Sequence, residues 1–324
     1  MAATDTQPTI DLHIRRVAGC IGANIDGVDL AQPLPPATVA ALRDALHTHK
    51  VLFFRGQHLD HASHVALGEQ FGPLTRRAGD KHGVHPDGYP QILTMDATEE
   101  DTRYGTDFEE RLRQRWTSYI AGWHSDLTPH VNPPMASILR AERVPSYGGD
   151  TQWTDLTAAY AGLSEPLRDL VDKLHAEHAF FAGCQFSAND PDDVAVAANH
   201  AANPQAAIHP VVRVHPDTGE RSLFVNPAST SRIVGLTPTE SRALLDLLFA
   251  QITRSEYTVR FRWAPGSVAF WDNRSTAHLA ATDTADVPER RTMHRVAILG
   301  DRPVGPDGFT SEHVAGEPLA PYSH

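Results

Sequence analysis

The chain has almost no cysteine and almost no lysine. Its two cysteines, Cys20 and Cys184, show no pairing pattern in 324 residues. That excludes a disulfide-knit secreted scaffold and fits a reducing, cytoplasmic setting. Lysine occurs only at positions 50, 81 and 173, and the 28 basic residues face 40 acidic ones, for a net charge of −12. A protein that neutralises phosphates needs a basic face, so nucleic acids and anionic membrane surfaces are excluded as partners. Long apolar runs are missing too. Val51–Phe54 and Leu244–Phe249 fall far short of the roughly 20 residues that cross a bilayer. The opening MAATDTQPTIDLHIRR carries acids where a signal peptide needs an apolar core, so export is not expected. No repeat, low-complexity block or Gly/Ser linker divides the chain. With 41% hydrophobic residues, residues 1–324 are expected to form one domain with a sizeable core.

What is present reads as short strands with helical additions. Pro35 and Pro36 open a helix that ends at Lys50, followed by the strand Val51–Phe54 and a short helix from His61 to Gln70. One strand, Gln91–Met95, sits in a loop-rich stretch; Asp107–Trp116 reads as a short charged helix. That helix is either a solvated surface turn or, because it precedes the best site candidate, part of a lid insertion over about 97–120. Then follow an aromatic, β-prone run Trp116–Trp123, the strand Ser137–Ala141, and helices near Asp155–Leu163 and Glu165–His178. The polar, Ala-rich stretch 184–205 reads as a mobile excursion. Strands are expected at Val211–His215 and Leu223–Asn226, and Thr237-Pro-Thr-Glu240 is a capping box that opens a helix to Gln251. Tyr257–Trp263, the Pro265-Gly266 turn and Ser267–Trp271 read as a hairpin, and Val296–Leu299 as a last strand. The pattern predicts a mainly β fold, a sandwich or jelly roll with helical additions.

With 19 histidines, a histidine motif has to beat chance. Four His-x-Asp triplets occur where composition alone gives about 1.5. His85-Pro-Asp-Gly88 and His215-Pro-Asp-Thr-Gly219 are turn sequences, and Asp60 stands where a helix N-cap belongs. Only Trp123-His124-Ser125-Asp126 lies between β-prone segments, where alternate side chains of an extended chain share a face and can bind one metal. Far along the chain, Trp271-Asp-Asn-Arg274 is followed by His278. Thirteen residues on, Arg291-Thr-Met-His-Arg295 enters a strand with Arg291 and Arg295 on one face. Arg290 reads as a surface residue paired with Glu289 or Asp283.

Two histidines and one carboxylate leave three positions open on a metal, which suits Fe(II) with a co-substrate and O2. A structural zinc site would want four protein ligands, while a hydrolytic zinc site with three ligands and water stays open. The two arginines favour the first option, because a guanidinium fork holds a carboxylate bidentately.

On these residues the sequence resembles the Fe(II)/2-oxoglutarate dioxygenases of the TauD/TfdA family, which includes taurine dioxygenase and alkylsulfatases. The likeness runs from Ile21–Leu30 through Lys50–Gly56, Trp123–Asp126, Pro145–Thr151 and Trp271–Arg274 to Met293–Arg295 and Gly300-Asp301. It implies a double-stranded β-helix (jelly roll, cupin-like) with Fe(II), 2-oxoglutarate and O2. His124, Asp126 and His278 would be the iron ligands, and Arg291, with Thr151, would hold 2-oxoglutarate. Arg295 matches the family's anion-binding position. A homodimer or tetramer is expected from the resemblance, and a small anionic molecule as substrate. The chain departs from taurine-type members beside the substrate. Arg77 stands nearest the position of their substrate-binding histidine, with His82 or His85 as substitutes. Ile120 replaces a polar residue, and Leu127 adds to an apolar wall. These departures predict a larger, less polar substrate: a carboxylate-bearing, partly apolar metabolite such as a natural-product intermediate. The alternative is an alkylsulfonate or alkyl sulfate, releasing sulfite or sulfate.

Overall fold

The computed structural model describes residues 12–75, 84–96, 108–284 and 287–322. The chain begins with β1 (His13–Arg16), β2 (Ala23–Asp26), α1 (Pro36–His49), β3 (Val51–Phe54), α2 (His61–Glu69) and β4 (Leu93–Asp96). It continues through α3 (Phe108–Gln114), β5 (Ala136–Arg143), β6 (Thr151–Asp155), α4 (Leu156–Ala161), α5 (Glu165–Val171), β7 (His175–Ala179) and α6 (Pro191–Ala202). The last part holds β8 (Ala206–Pro210), β9 (Val212–Val214), β10 (Arg221–Leu223), β11 (Thr230–Ile233), α7 (Pro238–Ile252), β12 (Thr258–Phe261), β13 (Val268–Asp272), β14 (Thr276–Leu279), β15 (Thr292–Ile298) and β16 (Glu312–Ala315).

Seven strands form one large sheet in the order β1-β2-β3-β13-β5-β15-β4. Opposite it lies a three-stranded sheet, β12-β6-β14, while β11-β7-β8-β16 and β9-β10 form two further sheets. The period of two along the strands decides which side chains meet. On β13, Ala269 and Trp271 turn inward, joining Phe53, Leu139 and Met293 of the large sheet against Trp153, Val259 and Phe261 of the small one. Val268 and Phe270 turn outward and are covered by Leu42 and Leu46 of α1 and Val65 and Leu67 of α2. A third cluster packs Leu245 and Leu248 of α7 and Leu156 of α4 behind Ala277 and Leu279 of β14. This is a jelly roll with its helices outside, and the site lies between the two sheets.

Several elements form as their residues dictate. Thr237 and Glu240 make a reciprocal capping box on α7, and Asp60 caps α2 by accepting from the Ser63 amide at 2.7 Å. Other expectations are corrected. The segments around Pro265-Gly266 are not a hairpin: β12 pairs with β6, while β13 pairs with β3 and β5. Their inward residues face one another across the sandwich, so the turn is a corner between sheets. The helix expected over Glu165–His178 stops at Val171, because His175–Ala179 alternates in burial and pairs with both β8 and β11. The run Trp116–Trp123 is a series of turns, and Trp116 pairs only as an isolated bridge with Cys184. Gly122 makes this packing fit, since a Cβ there would collide with the Trp116 ring. Apart from these corrections, the 184–205 stretch, expected as a mobile excursion, contains α6, capped by Asp190, with Asp193 paired to Arg115 just past α3 and Asp192 to Arg111 within it.

Candidate iron and 2-oxoglutarate site

Backbone pairing brings the two ends of the site together. The His124 amide donates to the His278 carbonyl at 2.9 Å, and the His278 amide donates back to the His124 carbonyl at 2.7 Å. His278 lies on β14 and His124 pairs with it as an isolated antiparallel bridge, whereas Asp126 already stands in the turn that follows. The chain bends sharply after Asp126, where Leu127 takes φ +51°. That left-handed conformation is strained for a leucine and is held by the surrounding packing.

The three side chains converge. One oxygen of Asp126, Oδ1, lies 3.9 Å from His124 Nε2 and 3.9 Å from His278 Nε2, and all three donor atoms fall within 4.8 Å of one another. Asp126 and His278 are buried, while the His124 side chain keeps 30% of its exposure. His124 Nδ1 is 2.9 Å from the Gly122 carbonyl. A carbonyl can only accept, so in the neutral ring the proton sits on Nδ1 and the Nε2 lone pair points to the centre. Burial holds the His278 pKa well below the ordinary range, which also keeps this ring neutral. Burial works against the Asp126 carboxylate. The charge of Arg295, then the two histidines and the Ser137 hydroxyl, nevertheless hold its pKa below the usual value. Two imidazole lone pairs and one carboxylate oxygen at the corner of a cavity fit a divalent iron with three positions left for other ligands.

A cavity of about 280 Å³ opens beside His278 and is lined by Thr151, Leu139, Trp271, Arg290, Arg291 and Arg295, among others. Arg291 Nε donates to the Gly149 carbonyl at 3.3 Å, and Thr151 Oγ1 accepts from Trp263 Nε1 at 3.0 Å. Arg290 leaves its expected partners and donates to the buried Asp96 at 2.7 Å. Glu289 instead accepts from Ser146, and Asp283 from Gly149 and Arg260. A second, smaller cavity lies on the other side of Arg295, lined by His85, Gln91, Leu93 and Leu127. Arg295 lines both cavities and reaches Asp126 Oδ1.

The structure therefore brings His124, Asp126, His278, Thr151, Arg291, Arg295 and Leu127 together. Ile120 packs instead against the hydrophobic cluster that contains Trp123 and Leu279, and lines neither cavity as described. Arg77 and His82 lie outside the described residues, whereas His85 borders the smaller cavity with Arg295. Three contributors went unnoticed in the sequence: Ser137, Asn273 and Asp96. The signal for Asn273 was available in Trp271-Asp-Asn-Arg274, just before the candidate ligand His278.

Residues 13–297 match the model of the family described as taurine catabolism dioxygenase TauD, TfdA. The chain belongs to the TauD/TfdA family. It is 40% identical over 317 residues to an alpha-ketoglutarate-dependent sulfate ester dioxygenase of Pseudomonas putida, covering 96% of this chain and 97% of the relative. It is 34% identical to an alkylsulfatase of Acinetobacter baylyi, covering 97% and 93%. A crystal structure of a taurine dioxygenase from Burkholderia xenovorans superimposes with a TM-score of 0.80 at 43% identity, over 95% of this chain and 96% of that one. As a TauD/TfdA enzyme the protein is a dioxygenase that uses Fe(II), 2-oxoglutarate and O2. No helix among the described residues is long and apolar enough to cross a membrane.

Proposed function

We propose that this TauD/TfdA enzyme oxidises the carbon next to the ester oxygen of a small alkyl sulfate, releasing sulfate and an aldehyde. The observation that carries this reading is Arg295, a cation shared by two cavities next to a His-Asp-His triad. His124, Asp126 and His278 would hold the iron, and Arg291 with Thr151 would hold the far carboxylate of 2-oxoglutarate in the larger cavity. Bound iron would supply the oxidising power, with O2 and 2-oxoglutarate consumed and succinate and CO2 formed. The protein's own work is orientation. Arg295 would fix the anionic head of the substrate, Leu127 and Leu93 would take its apolar chain, and the dry walls of Trp271 and Leu139 would exclude water. Hydroxylation at the ester carbon gives an adduct that collapses with loss of sulfate.

A carboxylate-bearing metabolite would meet the same arginine, so charge alone does not choose between the two. The choice rests on the sulfate ester dioxygenase and alkylsulfatase relatives, which match nearly the whole chain. They favour the sulfate ester over the carboxylate-bearing metabolite expected from Ile120 and Leu127. The test supplies a linear alkyl sulfate, taurine and an aryloxy carboxylate in turn, and measures succinate with sulfate or sulfite. Sulfate release matching succinate with the alkyl sulfate alone is expected. Coupled turnover of the carboxylate without sulfate release from the ester would reject the reading. Arg295→Ala is expected to raise the KM for the alkyl sulfate by about 100-fold, the scale of a lost charge-assisted hydrogen bond in a desolvated site.

A further inference from the structure

Asp126 has two oxygens, and the structure treats them differently. Oδ1 faces both histidines and accepts from Arg295, while Oδ2 accepts from the Ser137 hydroxyl at 2.7 Å. Ser137 lies on β5, fully buried and directly opposite Trp271 of β13 in the sheet. Between them stands Asn273, just past the end of β13. Its Nδ2 donates to Ser137 Oγ at 3.0 Å, and its Oδ1 accepts from Trp271 Nε1 at 2.8 Å and, at 3.4 Å, from the Asp126 amide.

The proton positions in this chain have a single solution. An indole nitrogen can only donate, so the Asn273 oxygen must face Trp271 and its amino group must face Ser137. Ser137 then receives a proton from Asn273 and has only its own hydroxyl proton to give. That proton goes to Asp126 Oδ2. Each member is buried, so an unmade bond would leave a desolvated polar group.

From this geometry we infer that Ser137 and Asn273 are positioning residues that keep Asp126 a one-oxygen ligand. With Oδ2 engaged, only Oδ1 is presented to the iron, and the three remaining positions stay available. A carboxylate released from Ser137 can turn both oxygens to the metal and occupy a position that 2-oxoglutarate or O2 needs. The inference rests on the reading of Asp126 as an iron ligand. It adds two residues that touch neither cofactor nor substrate and act through that ligand.

The experiment titrates Fe(II) anaerobically into full-length wild-type, Ser137→Ala and Asn273→Ser proteins at saturating 2-oxoglutarate. The visible charge-transfer band of the chelate is followed, with melting temperature recorded beside it. Ser137→Ala is expected to weaken the apparent Fe(II) affinity about 10- to 100-fold, the range for lost partners of metal ligands. At saturating iron it should also move or weaken the band and raise the KM for 2-oxoglutarate more than it lowers kcat. Asn273→Ser leaves the Ser137 hydroxyl in place without its orienting donor, so the same changes are expected at smaller size. It carries the test if Ser137→Ala folds poorly. A wild-type band with an unchanged band and unchanged affinity in both variants overturns the inference and leaves the iron reading standing. No band in well-folded wild-type protein overturns both. A merely structural role would lower the melting temperature without moving the band.

Discussion

The described residues contain two clusters of two histidines and one aspartate, and the two are wired differently. His124, Asp126 and His278 form the first; His47, His215 and Asp272 form the second, with an equally buried aspartate. The difference lies in the protons. His124 gives its Nδ1 proton to a carbonyl and turns a lone pair to the centre. His215 is wired the other way. Its Nδ1 lies 3.2 Å from the amides of Asp217 and Thr218, which can only donate, so Nε2 carries the proton and gives it to Asp272 Oδ2 at 3.0 Å. Arg274 then grips Asp272 through Nε at 2.9 Å and Nη2 at 2.7 Å, and reaches Asp217 through Nη1 at 2.7 Å. Arg274 contacts both oxygens of Asp272 and His215 adds a proton to Oδ2, whereas at Asp126 Oδ2 takes the Ser137 hydroxyl and Oδ1, shared with Arg295, still faces two imidazole nitrogens. Burial opposes the charge of Asp272, but Arg274 and His215 hold its pKa far below the ordinary range. Equal composition thus leaves a histidine lone pair facing the carboxylate in one place and builds a closed ion-pair network in the other.

The largest expected effect separates the two clusters directly. Asp126→Ala should abolish Fe(II)-dependent turnover and remove the single bound iron, because the set loses its carboxylate; a lower melting temperature should accompany this, since the largely buried Arg295 and the Ser137 hydroxyl lose their partner. Equilibrium dialysis with thermal melts measures both quantities. Retained iron at one equivalent would take Asp126 out of the ligand set.

Asp272→Ala should lose stability and keep the iron. It leaves the buried Arg274 without its main counter-charge, and breaking a buried pair costs about 3–5 kcal/mol. Urea unfolding should show that loss, while the folded fraction still binds one iron per chain. Loss of iron without loss of stability would make the second cluster a metal site after all.

A smaller effect concerns two buried histidines outside both clusters, His64 of α2 and His209 of β8. Burial, with a smaller contribution from Arg140, pushes His64 down to about 3, and burial pushes His209 down to about 4. His209 Nε2 lies 2.7 Å from the Thr128 carbonyl and braces the turn that carries Asp126. Unfolded, each ring takes a proton near pH 6.5, whereas the folded protein refuses it until about pH 4 or lower. Their contribution is therefore complete above pH 6.5 and is lost as the pH falls toward the folded values, by about 1.4 kcal/mol per pH unit for each ring. His209→Gln should flatten the fall of the urea midpoint between pH 6.5 and 4.5. An unchanged slope would show that His209 does not carry it.

How far the sequence disclosed all this depends on the kind of information involved. The strands of the large sheet were legible because they are apolar runs bounded by turn residues, and Val51–Phe54 is buried on both faces. The corner at Pro265-Gly266 was not, since adjacency in sequence says nothing about which sheet a strand joins. His124, Asp126, His278 and Arg291 could be singled out by spacing and resemblance. The turn at Leu127 was missed because a left-handed leucine has no sequence signature. His215 was dismissed as part of a turn, and it is one: the Gly219 amide bonds to the His215 carbonyl at 2.8 Å. Nothing local revealed that its ring also reaches Asp272, 57 residues away. Ser137 carries even less signal, being one serine in an apolar strand whose partner is chosen by sheet register.

The smallest expected effect sharpens the comparison most. His47 is the least buried member of the second cluster, and its Nε2 stands 3.3 Å from both Asp217 and Arg274. Its pKa is lowered, first by burial, with Arg274 and His215 adding to the effect and Asp272 opposing it. A neutral ring at that distance contributes little to a network whose charges are already matched by Arg274. His47→Ala should therefore change stability by less than about 1 kcal/mol, as for other partly exposed pairs, and leave iron stoichiometry and 2-oxoglutarate affinity unaltered. Titration with Co(II), whose absorption reports the number and type of ligands, would detect a second site in wild type that His47→Ala removes. Its absence means that the three donors, although close enough for an ion, present it with protons and a guanidinium in place of lone pairs.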